Sequence, residues 1–167
     1  MHGKKTADQK TADQKTADQK ISVVYDGQCP VCHLYCEMAK SNAEAYAADA
    51  ADLTGATGAT DAPVLELLDA REDSELMQRI SQLGMDIDEG MVVVIGDELH
   101  YGADAIHALA NVETKRGVFG VVSRLMFARR RSARFLYPWL RRIRNLLLKL
   151  LRKQRINNLK LPGRDRF

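Results

Sequence analysis

Ile21-Ser22-Val23-Val24-Tyr25-Asp26-Gly27-Gln28-Cys29-Pro30-Val31-Cys32 is an apolar run, a turn and a Cys-x-x-Cys pair in direct succession. The run predicts a strand and Asp26-Gly27-Gln28 a turn. His33-Leu34-Tyr35-Cys36-Glu37-Met38-Ala39-Lys40 then continues as the opening of a helix. A strand feeding a helix that starts at Cys-x-x-Cys is how redox-active dithiols are presented. At a helix start the first sulfur faces unpaired backbone N–H groups and the positive end of the dipole, and both favour thiolate over thiol. Thiolate is the reactive form. Cys29 is therefore expected to be the nucleophile, with a pKa below the free value of about 8.5. Cys32, one turn further in, would close the disulfide and release a mixed-disulfide partner. Pro30 fits the first helical turn, where its missing N–H costs nothing.

Other uses of these residues fit less well. A Cys-x-x-Cys disulfide closes too small a loop to restrict the unfolded chain much. Zinc needs four ligands, and no second Cys-x-x-Cys or closely spaced His pair follows. Only long-range coincidence could add Cys36, His33, His100 or His107 to a metal set. Cys-x-x-Cys-His is also the attachment signature of c-type haem, but the preceding strand and the lack of an export signal argue against it. The expected redox group is thus the dithiol itself, with no metal and no other cofactor. Cys36 lies four residues after Cys32, on the same helix face, and reads as a small buried apolar residue or as a third redox partner. Asp26 has two readings: a turn former bonding nearby N–H groups, or a buried general acid/base that exchanges the proton of Cys32. Tyr25 and Gly27 read as a core anchor and a tight turn.

The 167 residues hold one domain plus appendages. Residues 1–20 carry Thr-Ala-Asp-Gln-Lys three times, a composition that cannot bury enough surface to order itself, so disorder is expected. Residues 21–113 hold three Lys/Arg against eighteen Asp/Glu, a balance of −15. Residues 114–167 hold seventeen Lys/Arg against one acid, a balance of +16. The net +3 hides that division, which signals interaction of the halves with each other or with an outside anion.

Between these ends the elements alternate. Ser41–Ala62 reads as a helix tail dissolving into a loop, and Val64–Leu68 as a second strand. Asp73 or Ser74 caps a helix through Leu76, Met77, Ile80 and Leu83. Met91–Ile95 is a strand covered on both faces, paired in a hairpin with Glu98–Tyr101, and a helix follows over Ala105–Asn111. The order β-α-β-α-β-β-α is that of an α/β, thioredoxin-like domain: a mixed central sheet with helices on both faces.

Three ordered blocks carry a closer resemblance. Tyr25 to Cys32, Leu68-Asp69-Ala70-Arg71, and Gly90-Met91 with Gly102 to Ile106 resemble the DCC family of thiol-disulfide oxidoreductases, named for the pattern Asp26, Cys29, Cys32. Tyr137-Pro138 through Arg144-Asn145 is similar to that family's C-terminal segment. The resemblance spans roughly residues 21–150 and implies a thioredoxin-like fold and dithiol-disulfide exchange. One departure from thioredoxins stands out: their cis-proline, which shapes the substrate groove and keeps metals away, has its place held here by Gly90-Met91. Met91 reads as core more than groove lining.

The C-terminal region, 114–167, is expected to be basic and helical. Leu136, Trp139, Leu140, Ile143, Leu146, Leu147, Leu150 and Leu151 form a wide apolar stripe, with Arg141, Arg142, Arg144, Lys149, Arg152 and Lys153 on the remaining face. Such a helix either packs on the acidic domain or lies peripherally on an anionic membrane through residues 134–155. Arginines interrupt it too often for a span, and aromatics are too sparse for a nucleic-acid partner. The sequence leaves the oligomeric state open. The functional expectation is a cytoplasmic protein-disulfide reductase acting on a disulfide-containing protein or small thiol substrate. The alternative is a non-catalytic redox sensor or membrane- or partner-binding module on the same scaffold.

Overall fold

The computed structural model describes residues 20–54, 64–112 and 117–163. The Thr-Ala-Asp-Gln-Lys repeats of residues 6–19, and most of the expected loop before residue 62, lie outside them. Strand β1, Ile21–Tyr25, is central. It pairs in parallel with β2, Leu65–Asp69, and antiparallel with β3, Val92–Ile95, so that Val23 lies opposite Leu67 and Val93. Strand β4, Glu98–Tyr101, closes the hairpin, giving the sheet order β2-β1-β3-β4.

Alternation along these strands feeds two cores. Ile21, Val23, Tyr25 and Val93 pack with Cys36 and Ala39 of helix α1, Pro30–Thr54, and with Ala105 and Leu109 of α3, Ala103–Val112. Val24 and Val92 point the other way, onto Met77 and Ile80 of α2, Glu75–Gln82. Covering both faces is why β3 is an unbroken apolar run and β1 is interrupted only at Ser22. The arrangement is the expected α/β, thioredoxin-like one. Ser74 caps α2 by accepting the Met77 N–H at 3.1 Å.

Two elements differ from the sequence reading. The helix tail expected after Ser41 stays helical as far as Thr54, because six of residues 43–54 are alanine, the strongest helix former. A further helix, α4 (Gly117–Phe127), precedes α5 (Arg130–Leu150), and the two add a layer outside α3. There Ala110, Phe127 and Ala133 form a small core with Ile106, Leu136 and Leu140.

The acidic and basic regions meet across that layer. Arg130 and Arg134 bond Asp104, at 2.9 and 3.3 Å, and Arg141 pairs with Glu89 at 2.5 Å. The apolar stripe of α5 is wider than the surface that receives it. Leu136, Leu140 and Leu147 are half-buried, whereas Trp139, Ile143, Leu146 and Leu150 remain more than half exposed. Leu148, outside the stripe, is fully buried. The tail beyond α5 then straps the loop before β3. Ile156 enters the second core, and Asn158 accepts the Ile87 N–H and donates to the Met85 carbonyl. No helix among the described residues is long and apolar enough to cross a membrane.

Candidate active site

The turn after β1 is held by its own side chains. Asp26 accepts the Gln28 N–H on Oδ1 at 3.1 Å, an Asx-type turn, and the Cys29 N–H on its carbonyl at 3.0 Å. Gly27 donates to Asp69 Oδ1 at the end of β2, and any Cβ there would overlap the Asp69 carboxylate. Glycine is favoured here by close approach rather than by an unusual φ, because a Cβ would displace a carboxylate that the Gly27 and Arg71 N–H groups hold.

Cys29 stands directly before α1, where an N-cap residue belongs. Its carbonyl takes the first helical hydrogen bond, from the His33 N–H at 2.9 Å, and its Sγ accepts the Cys32 N–H at 3.4 Å. Pro30 opens the helix. These contacts split the two thiols. A hydrogen bond from the Cys32 side chain, the Cys32 and Val31 amides and the Arg144 charge outweigh burial and bring Cys29 down to about 6. Cys32 moves far up, because it donates to Cys29, is buried and sits beside the thiolate. The pair thus holds one thiolate and one thiol, with the proton on Cys32.

Charge and access fall on different sulfurs. Cys29 is 0% exposed, though its neighbours Gln28 and Pro30 are on the surface. Cys32 is half-buried and lines a cavity of about 300 Å³ between α1, α3, α4, α5 and the loop before β3. Cys36 is fully buried in the first core, the environment of an ordinary apolar residue. None of the three cysteines is disulfide-bonded.

A cluster of buried charge adjoins the dithiol. Asp26, 3% exposed, binds Arg71 Nε through Oδ1 at 2.9 Å and Arg144 Nη2 through Oδ2 at 2.8 Å. Arg144 Nη1 also donates to the Asp88 carbonyl at 2.6 Å, and Asp88 Oδ2 is held by Arg155 at 2.5 Å. Arg71 reaches on to the Gln154 carbonyl at 2.7 Å. Three guanidinium groups and two carboxylates thus tie the dithiol turn to α5, the loop before β3 and the tail. Buried carboxylates require such partners.

The remaining expected site residues are placed as follows. Tyr25 anchors the first core and bonds His33 Nδ1 at 3.0 Å, its ring stacked on the imidazole. Met91 packs against that core and lines the cavity, so it is both core and wall. Gly90 lies under Tyr137, whose hydroxyl occupies the space a Cβ would need while donating to the Glu89 carbonyl at 2.6 Å. A tyrosine from α5 thus covers Gly90, and both residues line the cavity.

Sequence reasoning missed Arg144 as a site residue. It placed Arg144 on the charged face of the last helix without linking it to the dithiol, although the Tyr137-to-Asn145 resemblance already contained it. Arg71 was likewise visible only within the Leu68-to-Arg71 block. Asp88 and Arg155 carried no signal. Among the described residues, no cluster of three or more His, Cys, Asp or Glu side chains is arranged to hold a metal ion.

The sequence profile of the DCC1-like thiol-disulfide oxidoreductase family matches residues 23–150, from β1 to the end of α5. No curated protein and no solved structure matches the chain. The profile covers well over half of the sequence, and the chain belongs to the DCC1-like thiol-disulfide oxidoreductase family.

Proposed function

We propose that this thiol-disulfide oxidoreductase works as a disulfide reductase through Cys29 and Cys32. The Cys29 thiolate attacks one sulfur of a substrate disulfide and releases the first substrate thiolate, which takes up a proton. The Cys32 thiol then gives up its proton and attacks Cys29 Sγ. This frees the second substrate thiol and leaves a Cys29–Cys32 disulfide, so two electrons pass from the dithiol to the substrate. A dithiol reductant completes the cycle. The dithiol is the only redox group the reaction needs.

One observation carries this reading: Cys29 Sγ sits at a helix start, accepts the Cys32 amide and has its pKa drawn to about 6 beside a thiol. A leaving and attacking thiol with a pKa near ambient pH is well matched to exchange. Asp26 is assigned a positioning role. Three of its roughly four acceptor positions are filled, by Arg71, Arg144 and Gln28, so its main effect is to hold the Arg144 charge near the sulfurs. A reducing compartment such as the cytoplasm suits this direction of exchange.

The full burial of Cys29 favours one second reading, a redox sensor that oxidises without turnover. Reduction of insulin and of hydroxyethyl disulfide separates the two. Catalysis is expected to vanish in Cys29→Ser, and Cys32→Ser is expected to trap a mixed disulfide through Cys29. Turnover that survives in Cys29→Ser sinks the reductase assignment, and a wild-type chain that forms its disulfide but never turns over supports the sensor.

A further inference from the structure

The outer face of α5 is apolar where a surface helix is normally polar. Phe135, Trp139, Ile143, Leu146 and Leu150 follow one another at three- or four-residue steps and are 73, 58, 56, 61 and 72% exposed. They make one continuous stripe. Arg142 and Lys149 follow Phe135 at seven-residue intervals within α5, so cations line one edge of the stripe. Arg142 lies 5.4 Å over the Trp139 ring. Helix α5 contains no acidic residue, whereas Arg130, Arg141 and Arg144 on its domain side are engaged by Asp104, Glu89, Asp26 and Asp88.

An apolar stripe edged by cations, on a helix without acidic residues, complements an anionic lipid surface: the side chains enter the acyl boundary and the cations meet the headgroups. A soluble acidic protein would satisfy the cations but gives no reason for five large unpaired apolar side chains in one row. The cavity beside Cys32 opens on the same side. Ile143 belongs both to the stripe and to the cavity wall, and Val31 and Val122 of that wall are 46 and 45% exposed.

We propose that the outer face of α5 seats the protein on an anionic bilayer, with the mouth of the Cys32 cavity turned toward it, and that its substrates are disulfides held at the membrane surface. The substrate half of this proposal rests on the reductase reading; the binding half does not.

Trp139 is the only tryptophan in the chain and lies at the centre of the stripe, so it reports the event directly. Emission and co-sedimentation are measured with phosphatidylcholine vesicles and with vesicles containing phosphatidylglycerol. The expected result is a blue shift and at least ~tenfold tighter binding to the anionic vesicles, weakening as salt rises. Leu146→Glu/Leu150→Glu is expected to lose ~tenfold or more of that binding while reducing soluble hydroxyethyl disulfide at the wild-type rate. Equal binding to neutral vesicles, or no shift with either, overturns the membrane proposal. So does a blue-shifted Trp139 in lipid-free protein that sediments as a dimer, which assigns the face to a second copy. For the substrate half, a disulfide-bearing lipid in anionic vesicles should be reduced several-fold faster by wild type than by the double variant. Equal rates overturn that half. Loss of activity on the soluble disulfide in Cys32→Ala, with vesicle binding intact, shows that the two halves are separately testable.

Discussion

Helices α2 and α5 are both strongly two-faced, yet the fold uses their faces differently. Helix α2 buries Met77 and Ile80 and keeps its polar residues in water, as a surface helix does. Helix α5 turns Tyr137, Arg141 and Arg144 toward the domain and leaves Trp139, Leu146 and Leu150 outside. Segregation of residue types along a helix therefore shows that two faces exist. It does not say which one goes in. For α2 the receiving surface is the sheet, so apolar side chains win. For α5 it includes two buried carboxylates, Asp26 and Asp88, and a carboxylate stripped of water needs a guanidinium more than a leucine needs cover.

The largest test of this contrast compares two arginines two residues apart on α5. Arg144→Met leaves Asp26 and Asp88 short of a buried partner and is expected to cost about 3–5 kcal/mol in urea unfolding. Arg142→Met, on the outer side, should stay within about 0.5 kcal/mol of wild type. Equal effects would mean that the ion cluster does not dock the helix. Next in size, Ile80→Ala on α2 should cost about 2–5 kcal/mol, because it empties a fully buried position. Leu150→Ala, similar in chemistry but 72% exposed, should barely register.

A third test probes the contact between α5 and the site. Gly90→Ala is expected to lose about 1–3 kcal/mol, since the new methyl meets the Tyr137 hydroxyl and the Gly102 backbone. Adding Tyr137→Phe removes the obstructing oxygen. The double variant should then be less unstable than the two single losses added together, and strict additivity would contradict the packing.

The smallest effect is electrostatic. The ultraviolet absorbance of the thiolate in reduced protein should titrate near pH 6, so Cys29 is mostly charged at pH 7 and gains its proton as the pH falls through that value. Disulfide reduction should fall with it. Because the Arg144 cation favours the thiolate, Arg144→Gln is expected to move the titration upward, whereas Arg142→Gln should leave it unchanged. A midpoint indifferent to Arg144 would confine the activation of Cys29 to the Cys32 thiol and the amides of the helix start.

How much of this was legible in the sequence follows from the range of each interaction. Ile21 to Cys32 specified strand, turn and helix start through contacts within a few residues, such as Gln28 N–H on Asp26 and Cys32 N–H on Cys29 Sγ. The side-chain alternation of β1 and β3 also placed both cores, because a strand covered on both faces carries apolar residues on each of them. The length of α1 was underread because alanine beside Asp, Asn and Ser resembles loop composition.

The unassigned half of the site comes from far away in the chain. Arg144 is 118 residues from Asp26, and no periodicity reveals that a helix will rotate its arginines inward. The sequence by itself determined the dithiol, its presentation at a helix start and the mixed sheet that carries it, since those follow from local hydrogen bonds and from the alternation of side chains. Only the tertiary structure decided that Cys29 is covered while Cys32 faces the cavity, that Tyr137 fills the space above Gly90, and that α5 meets the dithiol with its charged side. Those outcomes depend on which surfaces must be desolvated together, and that is settled by packing rather than by order along the chain.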